Sequence, residues 1–251
     1  MSVRLEKNGA IARIIIDRPD ARNSINLAMW ETFPSLIADA VSDPAIRVLE
    51  LRGAEGSGIF SAGADIKEML AHKDDMSWLS ANQAEINRVQ HELARADIPT
   101  IAFVDGDCIG GGCGLALACD IRVATQRARF GITPGKLGLV YPLHDVKLLT
   151  DLVGPGQAKR MLFTAGLIDA DEAYRIGMVE IIAEDTSKLI EQMLANSTHS
   201  AIENKRFVRR VLEGQGDDDD HSLRVFHAAF TRDDFAEGSS AFVEKRQPRF
   251  H

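Results

Sequence analysis

Asp107-Cys108-Ile109-Gly110-Gly111-Gly112-Cys113-Gly114-Leu115-Ala116 occupies the middle of the chain, and Phe60-Ser61-Ala62-Gly63-Ala64-Asp65-Ile66-Lys67-Glu68-Met69 precedes it. Each stretch sets small residues where a loop enters a helix. A helix start leaves backbone N–H groups unpaired and carries partial positive charge, so each junction is suited to point a donor at a developing anion. Glycine lets a ligand come close to the backbone. Taken alone, Gly110 to Gly112 fits equally well as a turn packed closely against a strand. A phosphate loop is a poorer reading, because neither stretch has the G-x-x-x-x-G-K-[ST] spacing and no G-x-G-x-x-G follows a strand.

Outward from these segments, strand and helix alternate. Ile11 to Ile16 is aliphatic and β-branched and ends at Asp17-Arg18-Pro19, a strand closing in a turn. Leu27 to Val41 has helical periodicity, Val48 to Arg52 reads as a strand, and Asp65 to Leu70 begins a helix. Asp75 to Ala96 reads as a polar helix, Thr100 to Val104 as a strand, Gly112 to Ala118 as a short apolar helix and Ile121 to Ala124 as a strand. Repetition of strand, strand and helix implies a layered α/β architecture built from one supersecondary unit. After Gly131, Leu143 to Leu152, Gln157 to Thr164 and Asp169 to Ile176 read as helices around Gly154-Pro155-Gly156, and Val179 to Ile182 as the last strand. The run Asp217 to Asp220 reads as a solvated loop or a negative helix start rather than a metal site.

The chain of 251 residues, 45% hydrophobic, suits one main core with an appended helical unit, divided into residues 1–190 and 191–251. A net charge of −8 provides no basic field for nucleic acid or an anionic membrane. Cys108, Cys113 and Cys119 are an odd number within one apolar stretch, which argues against a disulfide framework and a zinc site and for buried thiols in a reducing cytosol. No span approaches the ~20 apolar residues of a membrane helix, and Met1 to Ala10 lacks a signal-peptide pattern. A cytoplasmic protein is expected.

The two glycine-containing segments, in this order, resemble the paired oxyanion motifs of the crotonase (enoyl-CoA hydratase/isomerase) superfamily. Arg18-Pro19 with Asn23-Ser24-Ile25-Asn26, Cys119-Asp120-Ile121-Arg122, and Ala241-Phe242-Val243-Glu244-Lys245-Arg246-Gln247-Pro248-Arg249-Phe250 extend the resemblance over essentially the whole chain. It implies a spiral of repeated ββα units with a C-terminal α-helical trimerisation region, and thus a homotrimer or a homohexamer. It implies further that the N–H groups of Ala64 and Gly111 hold a thioester oxygen and stabilise an enolate. Ala62, Asp65 and Ile66 would line the coenzyme A path, and Lys245 would approach its phosphates. No cofactor and no metal are implied, since coenzyme A arrives as part of the acyl-CoA substrate.

Hydratases of this superfamily place one glutamate three residues after the second oxyanion glycine and another in the stretch that begins Phe130-Gly131. Here those positions are Gly114 and Pro134, neither of which transfers a proton. Phe130 to Tyr141 resembles instead the matching part of methylmalonyl-CoA decarboxylase, where residues at the positions of Thr133 and Tyr141 sit beside the acyl group. Tyr141 is thus a candidate hydrogen-bond or proton donor; a tyrosine packed at a helix start is the plainer alternative. His144 and Asp145 follow it, Asp145 either as an isomerase-type base or as ordinary first-turn dipole chemistry. Asp120 matches a position with a structural use. An isomerase or decarboxylase is expected ahead of a two-glutamate hydratase. The alternatives are hydration with other residues replacing the glutamates, or a noncatalytic acyl-CoA or RNA-binding scaffold.

Overall fold

The computed structural model describes Ser2–Phe250. Among these residues the strands are β1 (Val3–Asn8), β2 (Ile11–Ile16), β3 (Val48–Gly53), β4 (Ile59–Ser61), β5 (Thr100–Val104), β6 (Asp107–Ile109), β7 (Ile121–Ala124), β8 (Arg129–Gly131), β9 (Leu167–Asp169) and β10 (Ile181–Ile182). The α-helices are α1 (Leu27–Ser42), α2 (Ile66–Ala71), α3 (Met76–Ala94), α4 (Gly111–Ala118), α5 (Leu143–Thr164), α6 (Ala170–Arg175), α7 (Ser187–Leu194), α8 (Thr198–Leu212), α9 (Asp220–Ala229) and α10 (Asp233–Glu244).

Two compact units are formed, one from the residues up to Ala96 with Thr100–Thr186, the other from Asp97–Pro99 with the chain from Ser187 onward. From the sequence the division is expected after residue 190; compactness divides the chain at Thr186 and leaves α7 whole. In the first unit a six-stranded sheet runs β1-β2-β3-β5-β7-β10 and a four-stranded sheet runs β4-β6-β8-β9. The spiral follows from this pairing. β3, β5 and β7 each enter the large sheet, and the strand that follows each of them, β4, β6 or β8, enters the small one. Apart from the antiparallel pairs β1/β2 and β8/β9, the ladders are parallel.

Parallel strands covered on both faces are near-continuously apolar. All of β5 is buried, as are Val48 to Leu51 of β3. Arg122, on β7, is only 2% exposed and is held by the carbonyls of Cys119 (2.7 Å) and Met178 (3.0 Å) and by an ion pair with Glu180. Asp120 accepts from the amide (2.7 Å) and hydroxyl (2.9 Å) of Thr100, a structural tie between β5 and β7. Helix α5 breaks at Gly154 (φ 72°), so Pro155 opens a second helical stretch, where it lacks no needed donor. In the second unit, Asp219 of the acidic run caps α9 through a reciprocal capping box with Ser222.

Candidate active site

The first glycine-containing segment is fixed by the loop before α1. Asn23 is fully buried; its Oδ1 accepts from the Arg18 amide (2.8 Å) and its Nδ2 donates to the Ile59 carbonyl (3.0 Å). The Ser61 hydroxyl donates to the Asn23 carbonyl (2.7 Å) and accepts from the Gly63 amide (3.1 Å). These bonds hold Gly63 at φ +92°, a conformation that L side chains rarely adopt.

Ala64 then forms a parallel bridge with Ile25: the Ile25 amide donates to the Gly63 carbonyl (2.8 Å), and the Asp65 amide donates to the Ile25 carbonyl (3.0 Å). In such a bridge the neighbours of the bridging residue make the bonds, so the Ala64 N–H points away from Ile25. It faces Gly111. A Cβ built on Gly111 would lie 3.4 Å from the Ala64 nitrogen and 3.6 Å from the Trp30 ring, and one built on Gly63 would lie 3.0 Å from the Gly111 nitrogen. Gly111 opens α4, so its N–H belongs to the first turn and has no intrahelical acceptor. Among the described residues neither amide donates to a protein group. Two backbone amides without a protein acceptor thus lie close together at the half-buried start of α4.

The glutamate position of the resemblance, Gly114, lies one turn along α4. Its missing side chain is replaced in space: a Cβ there would overlap Gln90 Nε2 and Asp145 Oδ1 and lie 3.3 Å from the Tyr141 hydroxyl. Gln90, Asp145 and Tyr141 are 0%, 1% and 7% exposed. Gln90 Nε2 donates to Asp145 Oδ1 at 2.7 Å. The Tyr141 hydroxyl donates to the Gly110 carbonyl at 3.2 Å and is also within hydrogen-bonding reach of the Asp145 carboxyl. Burial raises the Asp145 carboxyl to about 6, against the opposing bonds from Gln90 and Tyr141. Burial first, then the neighbouring Asp145 charge, pushes the Tyr141 phenol well above its ordinary range, so it stays protonated. Asp145 Oδ2 and Gln90 Oε1 are buried without a protein partner. A carboxyl titrating near neutrality with one uncommitted oxygen has the chemistry of an acid–base group.

Asp145 was legible only as one of two alternatives, and Gln90 carried no signal at all. Both are separated in sequence from Gly114 and meet it only through the packing of α3 and α5 on α4. Thr133 is half-buried at the start of a 3-10 turn, with its methyl 3.5 Å from the Cβ position of Gly131. Ala62 is half-buried, its amide donating to the Arg22 carbonyl (3.0 Å), and Ile66 is 38% exposed at the start of α2. The Asp65 side chain is committed to the fold, since it caps α2 through the Lys67 and Glu68 amides and ion-pairs with Arg18 at 2.7 Å. Its carboxyl lies below the usual range, because the Arg18 bond and the α2 amides together outweigh the opposing effect of burial. His144 is half-buried and its imidazole is driven toward the neutral form by burial, then by Arg95 and Lys147. Lys245, in the second unit, closes α10 in the left-handed region (φ 57°) with its side chain exposed. The thiols of Cys108, Cys113 and Cys119 are buried and unbridged, and among the described residues no cluster of metal-ligating side chains occurs. No helix of the described residues is long and apolar enough to cross a membrane.

The family model for enoyl-CoA hydratase/isomerase matches residues 6–251. A short-chain-enoyl-CoA hydratase of Clostridium acetobutylicum is 35% identical, over 98% of this chain and 96% of its own length. A crotonyl-CoA hydratase of Syntrophomonas wolfei is 33% identical, over 99% and 97%. Among solved structures, an enoyl-CoA hydratase/isomerase family protein of Hyphomonas neptunium superposes with a TM-score of 0.95 at 34% identity, covering 100% of this chain and 98% of its own. The motif pair, the alternating two-sheet spiral and these likenesses agree over the full length, and the chain is an enzyme of the enoyl-CoA hydratase/isomerase family, within the crotonase superfamily.

Proposed function

We propose that this enzyme binds an acyl-CoA, holds the thioester oxygen between the amides of Ala64 and Gly111, and moves a proton with the single carboxyl of Asp145. The observation that carries this reading is the Asp145 carboxyl, buried in the space of the absent residue-114 side chain and raised to about 6. One well-aimed backbone donor contributes ~2.7 to 4 kcal/mol to stabilising a developing oxyanion. Ala62, Ile66 and the backbone of Asp65 lie along the coenzyme A path, and Thr133 toward the acyl end.

Double-bond migration suits one carboxyl best. Asp145 takes a proton from the carbon between the thioester and a 3,4 double bond, the electron pair delocalises onto the thioester oxygen, and the same carboxyl returns the proton to C4. The product carries its double bond between C2 and C3. Decarboxylation is disfavoured by the same group, because an ionised Asp145 repels a substrate carboxylate in a low-dielectric pocket. Tyr141, its hydroxyl shared between the Gly110 carbonyl and Asp145, acts on Asp145 rather than on a substrate carboxylate. The activities in the relatives' names favour a second reading, hydration, in which Asp145 takes a proton from water as its oxygen bonds to C3 and delivers a proton to C2.

Self-association into a trimer or hexamer through the second unit is supported by its exposed Phe226, Phe230, Phe242, Val208 and Val211. The functional test is mass spectrometry and ultraviolet absorbance of crotonyl-, 3-enoyl- and methylmalonyl-CoA incubated with the protein. Conjugation of the 3-enoyl thioester without mass change supports migration, and water gain by crotonyl-CoA supports hydration. Carbon dioxide loss alone, or no change in any of the three, overturns the reading.

A further inference from the structure

We infer that Gln90 is the positioning residue for the acid–base group: its side-chain amide ties Asp145 Oδ1, leaving Oδ2 as the oxygen that exchanges a proton with the substrate. The inference rests on the reading of Asp145 as that group. Gln90 lies on α3 and is fully buried, and its Nε2 reaches Oδ1 at 2.7 Å. The two side chains share the volume that any side chain at position 114 would need, so Gly114 is the complement that lets the pair form.

Three features point past a purely structural role. First, the pair is satisfied on one side only: Gln90 Oε1 and Asp145 Oδ2 are buried with no protein partner. A polar pair retained for stability alone is expected to be satisfied at both ends, since buried unpaired acceptors are costly. Second, the donor is neutral. An arginine or lysine at this place would hold the carboxylate ionised far below neutrality, and an apolar residue would remove the largest influence opposing burial. A neutral amide leaves the carboxyl able both to take and to give up a proton near neutral pH. Third, a carboxylate tied at one oxygen has a defined direction of attack, and preorganised direction governs proton transfer.

The titratable surroundings of Asp145 are few. Gln90 faces it from α3, the Tyr141 hydroxyl from the approach to α5, and the buried thiols of Cys113 on α4 and Cys108 on β6 are within electrostatic range of that hydroxyl. His144 and Lys147 are its neighbours on α5, and Lys147 is engaged with Asp151. None of the groups that shift Asp145 is a cation, so the Gln90 amide is the strongest influence favouring its ionised form.

The test measures the pH dependence of kcat and KM, with the acyl-CoA that the wild type turns over, for Gln90→Met, Gln90→Glu and Asp145→Asn. Carbon-13 NMR of labelled aspartate follows the Asp145 titration directly. Gln90→Met keeps the bulk and deletes the donor; we expect the acidic limb of kcat and the NMR midpoint to move up together by about one pH unit. At pH 7 kcat is expected to fall about tenfold or more, with KM within about twofold. Gln90→Glu sets a second carboxyl against Asp145, so the midpoint moves further up; circular dichroism checks folding, and this variant decides if the methionine variant does not fold. If Asp145→Asn is inactive while the Gln90 variants keep the wild-type limb and kcat, the positioning role is wrong and the base assignment stands. If Asp145→Asn turns over normally, the base assignment is wrong and the positioning role goes with it.

Discussion

Asp145→Asn is expected to make the protein more stable at alkaline pH and nearly inactive. The wild-type carboxyl is raised to about 6 in the folded chain, mainly by burial, against ~3.9 when the chain is unfolded. The folded state therefore holds this proton more tightly than the unfolded state. Below the unfolded value the group imposes no penalty; as pH rises through the folded value, stability is lost. The two values give a penalty of about 1.5 kcal/mol at pH 5 and about 3 kcal/mol at pH 8. Asparagine removes the ionisation. It changes the hydrogen-bond tally little, because its oxygen still accepts from Gln90 and the position of its amide nitrogen, Oδ2, is already unpaired. Urea unfolding at fixed protein concentration at pH 5 and pH 8 measures the gain. The variant should outlast the wild type by about 1.4 kcal/mol more at pH 8 than at pH 5. Equal gains at both values, or a variant less stable at pH 8, would refute the claim that a buried, titrating carboxyl sits at this place.

Other substitutions probe the neighbouring parts. Gly111→Val sets a branched side chain 3.4 Å from the Ala64 nitrogen and 3.6 Å from Trp30; by crowding the acyl oxygen away from the two amides it should lower kcat by about 10²- to 10³-fold in steady-state assay, as much as losing an oxyanion donor, with folding retained by circular dichroism. Gly114→Ala puts its methyl into the Gln90–Asp145 contact, so a loss of about 1–3 kcal/mol in urea unfolding and a displaced acidic limb are expected. Tyr141→Phe removes a bond that lowers the Asp145 value, and the pH–rate profile should move its acidic limb upward with kcat reduced about tenfold rather than abolished.

Four inner strands of the large sheet were legible because Ile11 to Ile16, Val48 to Arg52, Thr100 to Val104 and Ile121 to Ala124 are largely aliphatic and largely buried, whereas the edge strand β1, with Arg4, Glu6 and Lys7, carried no such run. The small sheet was not. Its strands are three residues long, too short for a period to appear, and Asp107 and Arg129 lend them the look of loops, although the two side chains meet across the ladder at 2.7 Å. The glycine-containing segments around Ala64 and Gly111 stood out in the sequence, but taken alone they fitted a packed turn equally well, and the two amides themselves were named only through the family resemblance. Asp145 had the look of any acidic residue in a first helical turn, and what distinguishes it is burial beneath α3 and α4, a tertiary property. Gly114 held the missing clue: a glycine where a carboxylate is expected means that another group can occupy that space, but the sequence does not say which.

The central claim, that one carboxyl and two backbone amides make and quench a thioester enolate, is tested most directly by comparing wild type and Asp145→Asn. The readout is the rate at which 3-enoyl-CoA becomes conjugated, or crotonyl-CoA hydrated, at pH 7.5. The account predicts turnover by the wild type that the variant loses by about 10²-fold or more. A folded Asp145→Asn enzyme working at the wild-type rate would contradict it.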